Sequence, residues 1–240
     1  MQSTKVLSRM SNKVLYNDDM LHQLVASGLR DQVWMKNYIE QRDIFLKKIP
    51  ILINDHEISA VVDGMERFME LPGVQRIALQ QLINEFEDNS KREYDLILLK
   101  MKLQNTNFVS LTKEMLNLYT GEDQMDIHIK CFKLLEQGPL CFSCCIPIIL
   151  NSMENLTKYK HASYQLVALR ALRAVTCGKY AGRKNALESL QKWKDSKEGE
   201  QLLGGMDILY ETCQRFNNNS KVSSSAKNLL NDLNEIGFEC

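Results

Sequence analysis

The chain has 240 residues, with 30 acidic residues, 30 basic residues and a hydrophobic fraction of 44%. A chain of this length and apolar content buries most of its unfolded surface in a globular core. Only 11 glycines and 4 prolines stand among runs of Leu, Met, Glu, Lys and Gln. This composition argues against a turn-rich β-sandwich, a collagen or a disordered linker, and it favours an all-α fold.

Apolar residues recur at steps of three and four along most of the chain, which is the spacing of one helix face. After Pro72, for example, Val74, Ala78 and Leu82 share a stripe opposite polar glutamines. Glycine, proline and asparagine clusters separate these periodic segments. The pattern predicts about twelve helices, roughly at 12–28, 31–48, 55–70, 73–87, 91–104, 108–119, 123–137, 140–155, 161–177, 182–194, 200–216 and 223–236.

Three prolines bear on where these helices begin and end. Pro72 suits a first helical turn, where its missing amide hydrogen costs nothing. Pro50 lies between two periodic segments, so we expect it to separate two helices. Pro147 lies inside an apolar segment that is otherwise helical, so we expect a kink or a break at that residue.

A short signature recurs along the chain: a small or apolar residue, a large apolar residue next to it, and a large apolar residue three positions further on. It appears at Ala78-Leu79, Cys131-Phe132, Ala168-Leu169, Ala186-Leu187 and Leu229-Leu230. The first three copies are 53 and 37 residues apart, which corresponds to a loose repeat of about 40 residues.

At these residues the chain resembles armadillo and HEAT repeat proteins, over roughly 55–236. The resemblance implies an α-solenoid, that is, a short right-handed superhelical stack of helical hairpins. We therefore expect a single all-α domain over 1–240, with an atypical N-terminal cap or docking helices at 1–50 and the helical-repeat body at 55–236. Many members of this family bind extended peptides through Trp and Asn of an inner helix. Trp34 and Trp193 do not open such a motif, so that role is not carried over.

Charge is unevenly distributed along the neutral chain. The window from Lys158 to Leu187 contains seven cations and no acidic residue, whereas 55–95 has a clear acidic excess. We expect Arg170 and Arg173, one helical turn apart, to project together with the neighbouring cations, and Tyr159, Tyr164 and Tyr180 are interleaved with them. The candidate partner-binding residues are Lys158, Lys160, Arg170, Arg173, Lys179, Tyr180, Arg183 and Lys184.

This basic segment leads to the functional prediction. It predicts a non-catalytic scaffold or adaptor for protein–protein interaction, binding an acidic or phosphorylated segment of a partner. The alternative is a helical-repeat protein that binds nucleic acid through the same 158–187 patch. A third interpretation is an ordinary solvated face that is balanced by the acidic half of the molecule. The identity of the partner and the oligomeric state stay open.

Four side chains have a spacing that would suit a tetrahedral zinc site: His128, Cys131, Cys141 and Cys144. Cys131, however, lies on an apolar stripe, and free cysteine commonly packs in cores, so the pattern favours packing over a metal. No phosphate-binding loop, nucleophile elbow or zinc-protease helix is present in the sequence. We therefore predict no catalytic residue and no cofactor.

The compartment is inferred from the N-terminal residues and the cysteines. Met1 to Arg9 lacks the apolar core of a signal peptide, and no apolar stretch is long enough to span a membrane. Seven cysteines, an odd number, are typical of reduced thiols rather than of a disulfide framework. These features predict an intracellular, cytoplasmic protein and leave the nucleus open.

Overall fold

The computed structural model describes residues 18–28, 30–88, 91–137, 143–156, 161–177, 183–197 and 205–235. Within these ranges every regular element is helical and no strand is present, which confirms the predicted all-α class. The α-helices are α1 (Asp18–Ala26), α2 (Gln32–Asn54), α3 (Ile58–Arg67), α4 (Pro72–Glu87), α5 (Glu93–Gln104), α6 (Phe108–Leu118), α7 (Met125–Gln137), α8 (Ile146–Leu156), α9 (Ala162–Cys177), α10 (Arg183–Lys197), α11 (Gly205–Arg215) and α12 (Ser220–Glu235). Short 3₁₀ helices cover Glu122–Gln124 and Ser143–Cys145.

Local sequence explains where several of these helices begin. The Asp31 carboxylate accepts a hydrogen bond of 2.6 Å from the Trp34 amide and so caps α2. The Asn219 side chain accepts one of 3.2 Å from the amide of Val222 before α12. Pro72 lies in the first turn of α4, as the sequence predicts.

Pro50 and Pro147 behave differently from each other. The predicted separation at Pro50 is wrong, because α2 continues through this residue to Asn54. Ile49 and Ile53 on this stretch are buried in the core, and their burial offsets the backbone hydrogen bond that proline removes. The break expected at Pro147 takes the form of a helix start, since α8 begins at Ile146 and the proline lies in its first turn.

Four helices that are far apart in sequence pack side by side. α4 packs against α7, α7 against α9 and α9 against α12, while α2 packs on the other side of α4. We call α4, α7, α9 and α12 the helix row. The recurring signature falls on all four of these helices, at Ala78, Cys131, Ala168 and Leu229, and its fifth copy lies in α10.

Polar contacts between helix ends show that α4 and α7 are parallel. Near their N-termini, Arg76 Nε of α4 lies 2.9 Å from Asp126 Oδ2 of α7. At their C-termini, Gln137 Nε2 of α7 donates a hydrogen bond of 3.3 Å to Glu87 Oε1 of α4. Like ends therefore meet at both ends of the pair.

The helices α7, α9 and α12 are also parallel to one another. His161 and Glu122, which directly precede α9 and α7, form a hydrogen bond of 3.0 Å. Arg173 of α9 and Asp232 of α12 form an ion pair, and both lie in the C-terminal third of their helix. Corresponding ends of α7, α9 and α12 therefore lie on the same side.

The remaining helices supply a second layer. α3 packs on α4, α6 on α7, α8 on α9 and α11 on α12, and each of these four pairs is a helical hairpin that ends in a row helix. α5 packs on α3 and α6, and α10 packs on α8, α9 and α11. The main cluster of buried apolar side chains extends from Ile49 to Leu233 and joins both layers.

One glycine makes a close helix approach possible. A Cβ atom added to Gly64 of α3 would lie 2.0 Å from Phe45 Cε2 of α2, well inside van der Waals contact. The phenyl ring therefore packs directly on the α3 backbone. A larger residue at this position would push α2 away from α3.

A buried polar side chain recurs on three helices of the row, α4, α7 and α9, at the position three residues before the signature. On α4 this residue is Gln75, whose Nε2 donates to the carbonyls of Met65 (2.8 Å) and Phe68 (2.9 Å) at the end of α3. On α7 it is His128, whose Nε2 lies 2.6 Å from the carbonyl oxygen of Tyr119, the residue that ends α6. In both hairpins the second helix is therefore tethered to the C-terminus of the first.

The equivalent residue of α9 breaks this pattern. Gln165 is only 1% exposed, yet neither its Nε2 nor its Oε1 has a hydrogen-bond partner. A buried amide without any partner costs free energy, whereas Gln75 and His128 each recover part or all of that cost through their hydrogen bonds.

Candidate functional site

The row helices are parallel and in contact, so equivalent positions can be compared along the row. We align the four helices on their signature residues. One line of aligned residues then consists of Gln80, Lys133, Arg170 and Asn231, and a second consists of Ile77, Lys130, Val167 and Asn228. All eight side chains are exposed or half-exposed, which defines the open face of the helix row.

Arg170 and Arg173 of α9 are the two predicted site residues at this row. Both side chains are exposed. Arg173 pairs with Asp232 of α12, whereas the charge of Arg170 acts on Glu136 of α7. The two arginines therefore have acidic neighbours on different helices, and their joint projection stays a prediction.

Those acidic neighbours come from other helices of the row. Arg173 Nε lies 2.6 Å from Asp232 Oδ2, in an ion pair that lacks the alignment of a hydrogen bond. Burial raises the pKa of Glu136 on α7, and the positive charges of Arg170 and Lys133 oppose this rise. The open face is therefore a mixed surface in which carboxylates partly balance the cations.

The other predicted site residues are less informative. Lys184 is exposed at the start of α10, which is not a member of the row, so the alignment does not place it beside Arg170. Arg183 begins α10, but its side chain lies outside the described part of the structure. Lys158, Lys160, Lys179 and Tyr180 also lie outside the described residues.

Two cations of the open face were not among the predicted site residues. Lys130 and Lys133 of α7 are equivalent, in the signature alignment, to Val167 and Arg170 of the adjacent helix α9. Lys130 Nζ also lies 3.9 Å from Asp126 on its own helix. In sequence these lysines stand among acidic residues, so charge counting does not single them out. Aligning the signature copies would have found them.

Tyr164 is not part of any basic surface, and the expectation that it is interleaved with the cations is wrong. Its side chain is fully buried, and its hydroxyl lies 2.7 Å from Ser152 Oγ of α8. Ser152 Oγ lies in turn 2.9 Å from His128 Nδ1 of α7. These three side chains form a buried hydrogen-bonded network that joins α7, α8 and α9.

The protonation of His128 follows from its partners. A backbone carbonyl only accepts hydrogen bonds, so Nε2 carries the hydrogen toward Tyr119 and Nδ1 accepts from a hydroxyl. Burial lowers the pKa of His128 to about 4, and the hydrogen bond to Tyr119 opposes this effect. The ring is therefore neutral at pH 7, and it is only 1% exposed. Such a residue is placed to hold helices together rather than to meet a substrate.

The three described candidate zinc ligands, His128, Cys131 and Cys144, do not form a group that could hold a metal ion. His128 already uses both ring nitrogens, and Cys131 is fully buried with its thiol pKa raised by burial. Cys144 is exposed, and Cys141 lies outside the described residues. Among the residues that the structure does describe, no group of three His, Cys, Asp or Glu side chains could hold a metal ion. The arrangement favours packing for His128 and Cys131.

Comparisons with known proteins found no relative from which a function could be inferred. No known protein family, no curated protein and no solved structure matches the chain. Within the described ranges, no helix is both long enough and apolar enough to cross a membrane. The functional argument therefore depends on the open face itself.

Proposed function

We propose that the protein is a non-catalytic interaction scaffold of the cytoplasm, and that the open face binds an acidic or phosphorylated segment of a protein partner. The observation that carries this proposal is that the exposed Arg170 and the partly exposed Lys133 lie on adjacent parallel helices, where the positive charges of both act on Glu136. Cys131, Cys144, Cys145 and Cys213 are free thiols, which is consistent with a reducing compartment.

The proposal includes the architecture of a short right-handed superhelical stack of helical hairpins. Three features support it: four hairpins each end in a row helix, the row helices are parallel, and each row helix carries the same signature. A fourth supporting feature is the hydrogen bond by which Gln75 and His128 each hold the C-terminus of the preceding helix. Stacks of this kind present extended surfaces that follow from repetition alone.

The chemistry of the open face suits an extended anionic segment. Packed helices lie about 8–10 Å apart, so cations on α7 and α9 can contact neighbouring acidic groups of one bound chain. Arginine binds carboxylate and phosphate groups through two parallel hydrogen bonds. Glu136 and Asp232 already interact with these arginines, so a ligand has to compete with them, and we expect moderate affinity.

The test measures binding of two labelled probes, a short Glu/Ser peptide and its serine-phosphorylated form, by fluorescence anisotropy. We expect the double change Lys133→Glu with Arg170→Glu to weaken binding about tenfold or more, because two favourable charges become repulsive. The control is Lys47→Glu with Lys113→Glu, which makes the same charge change at exposed positions on α2 and α6. Equal loss in both variants, or no binding by the unchanged protein, would overturn the proposal.

A second pair of changes tests the competition in the opposite direction. Asp232→Asn and Glu136→Gln remove the internal acidic partners of Arg173 and Arg170, so we expect tighter binding of the acidic probes. A single-stranded RNA oligonucleotide is measured in parallel over a salt series. Preferential binding of the RNA, with affinity falling steeply as salt rises, would replace the protein partner with a nucleic acid.

A further inference from the structure

Helix α5 carries an apolar stripe that no described residue covers. Tyr94 is 72% exposed, Met101 is 47% exposed and Ile97 is 37% exposed. Their spacing of three and four residues places them on one side of the helix. The opposite side is anchored by Leu99 and Leu103, which are buried where α5 packs on α3 and α6.

Two opposite charges flank this stripe, Glu93 in the first turn of α5 and Lys100 toward its end. Asp95 and Lys102 repeat the same polarity on the side of the helix that carries Leu99. Lys102 Nζ donates a hydrogen bond of 3.0 Å to the His56 carbonyl, so this lysine is already engaged. Such a polarity suits the helix dipole, and it also makes α5 complementary to an antiparallel copy of itself.

We propose that the α5 stripe is a docking surface for a second copy of this chain, with the two α5 helices packed antiparallel about a twofold axis. Ile97 lies at the axis and meets Ile97 of the other copy. Tyr94 then faces Met101, and Glu93 faces Lys100, each pair occurring twice by symmetry. The aromatic ring and the thioether of such a pair attract each other, and the acidic and basic ends neutralise one another.

The occupant follows from this self-complementarity. The stripe carries both members of each contacting pair, Tyr94 with Met101 and Glu93 with Lys100. A twofold contact between identical chains requires a surface that is complementary to itself in this way. A helix of 12 residues is about 18 Å long, so the contact is small. Interfaces below about 1,200 Å² form weak or transient complexes, and we expect a concentration-dependent dimer. Dimer formation does not depend on the function proposed for the open face.

Sedimentation equilibrium over a wide range of protein concentration measures this association. We expect reversible dimer formation by the unchanged chain and at least a tenfold weaker association for Ile97→Glu, which buries a charge at the axis. The matched control is Ile77→Glu on α4, where the side chain is 43% exposed, and it should leave the dimer intact. A chain that stays monomeric at all concentrations, or a dimer weakened equally by both changes, overturns the proposal.

A charge exchange tests the antiparallel arrangement itself. Glu93→Lys alone and Lys100→Glu alone each place like charges opposite one another in a homodimer, so each should associate more weakly than the unchanged chain. Mixing the two variants in equal amounts restores opposite charges on both sides of the axis. We expect the mixture to recover dimer formation. Failure of the mixture to recover, or unchanged association of either variant alone, rejects the antiparallel α5 contact.

Discussion

The hairpins α6–α7 and α8–α9 carry a polar residue at the same buried position, and the two residues differ in what surrounds them. His128 bonds to the Tyr119 carbonyl through one nitrogen and contacts Ser152 through the other. Gln165 has no partner for either amide atom. Sequence alignment makes the positions equivalent, but only His128 can reach the carbonyl that ends the preceding helix. A buried polar residue therefore stabilises a hairpin only where its partner is within reach.

Gln75 of the hairpin α3–α4 is intermediate, because only one of its two side-chain polar atoms has a hydrogen-bond partner. Its Nε2 donates to two carbonyls at the end of α3, whereas its Oε1 has no partner. Tyr119 also donates its hydroxyl hydrogen to the Met69 carbonyl in the same turn, so the end of α3 is held by two different helical hairpins. We thus expect the three positions to rank as His128, Gln75 and Gln165 in their contribution to stability.

The largest expected effect is that of His128→Leu. This change leaves the Tyr119 carbonyl unbonded and removes a partner from Ser152, so we expect the free energy of unfolding to fall by about 3–4 kcal/mol. Urea denaturation at pH 7, followed by far-ultraviolet circular dichroism, measures the loss. A loss below about 1 kcal/mol would mean that the network contributes little to holding the helices together.

Lowering the pH should reduce the free energy of unfolding through His128 in the hairpin α6–α7. His128 has a pKa of about 4 when folded and about 6.5 when unfolded, so between these values the unfolded state binds the additional proton. The contribution of neutral His128 is complete above pH 6.5 and is lost as the pH falls toward 4, up to about 3 kcal/mol. Unfolding measured from pH 7.5 to 4 should show this slope, and the slope should be smaller in His128→Leu. Equal slopes in both proteins would contradict the assignment.

Replacing Gln75 and replacing Gln165 should change the free energy of unfolding in opposite directions. Gln75→Leu leaves two carbonyls unbonded, and we expect it to lower the free energy of unfolding by about 2 kcal/mol. Gln165→Leu removes a buried amide that has no partner, and we expect it to raise that free energy by about 1 kcal/mol. Each variant serves as the control for the other in the same denaturation series. A loss in both would show that Gln165 does have a partner in solution.

Much of the helical organisation could be predicted from the sequence. Local apolar spacing and turn residues gave twelve segments that correspond to the described helices, and Pro72 marked a helix start as expected. Pro50 was misjudged because burial of Ile49 and Ile53, a tertiary effect, keeps α2 helical beyond the proline. The architecture as an α-solenoid and the role of the open face stay predictions.

The candidate site was predictable only in part. Arg170 and Arg173 were found from local charge, and both are exposed, but their acidic neighbours Glu136 and Asp232 come from other helices. Tyr164 stands among cations in the sequence, yet its side chain is buried beside Ser152 and His128 of other helices. Charge counting also passed over Lys133, whose relation to Arg170 depends on helix packing.

The sequence by itself determined the helices, because apolar periodicity and caps act between residues a few positions apart. Only the tertiary structure decided which helices lie side by side, and with that which cations share a surface and which buried polar groups find partners. The physical reason is the sequence distance over which each interaction acts. Hydrogen bonds and ion pairs such as His128 to Tyr119 and Arg173 to Asp232 depend on distances of about 3 Å, and for residues far apart in sequence only the packed core sets those distances.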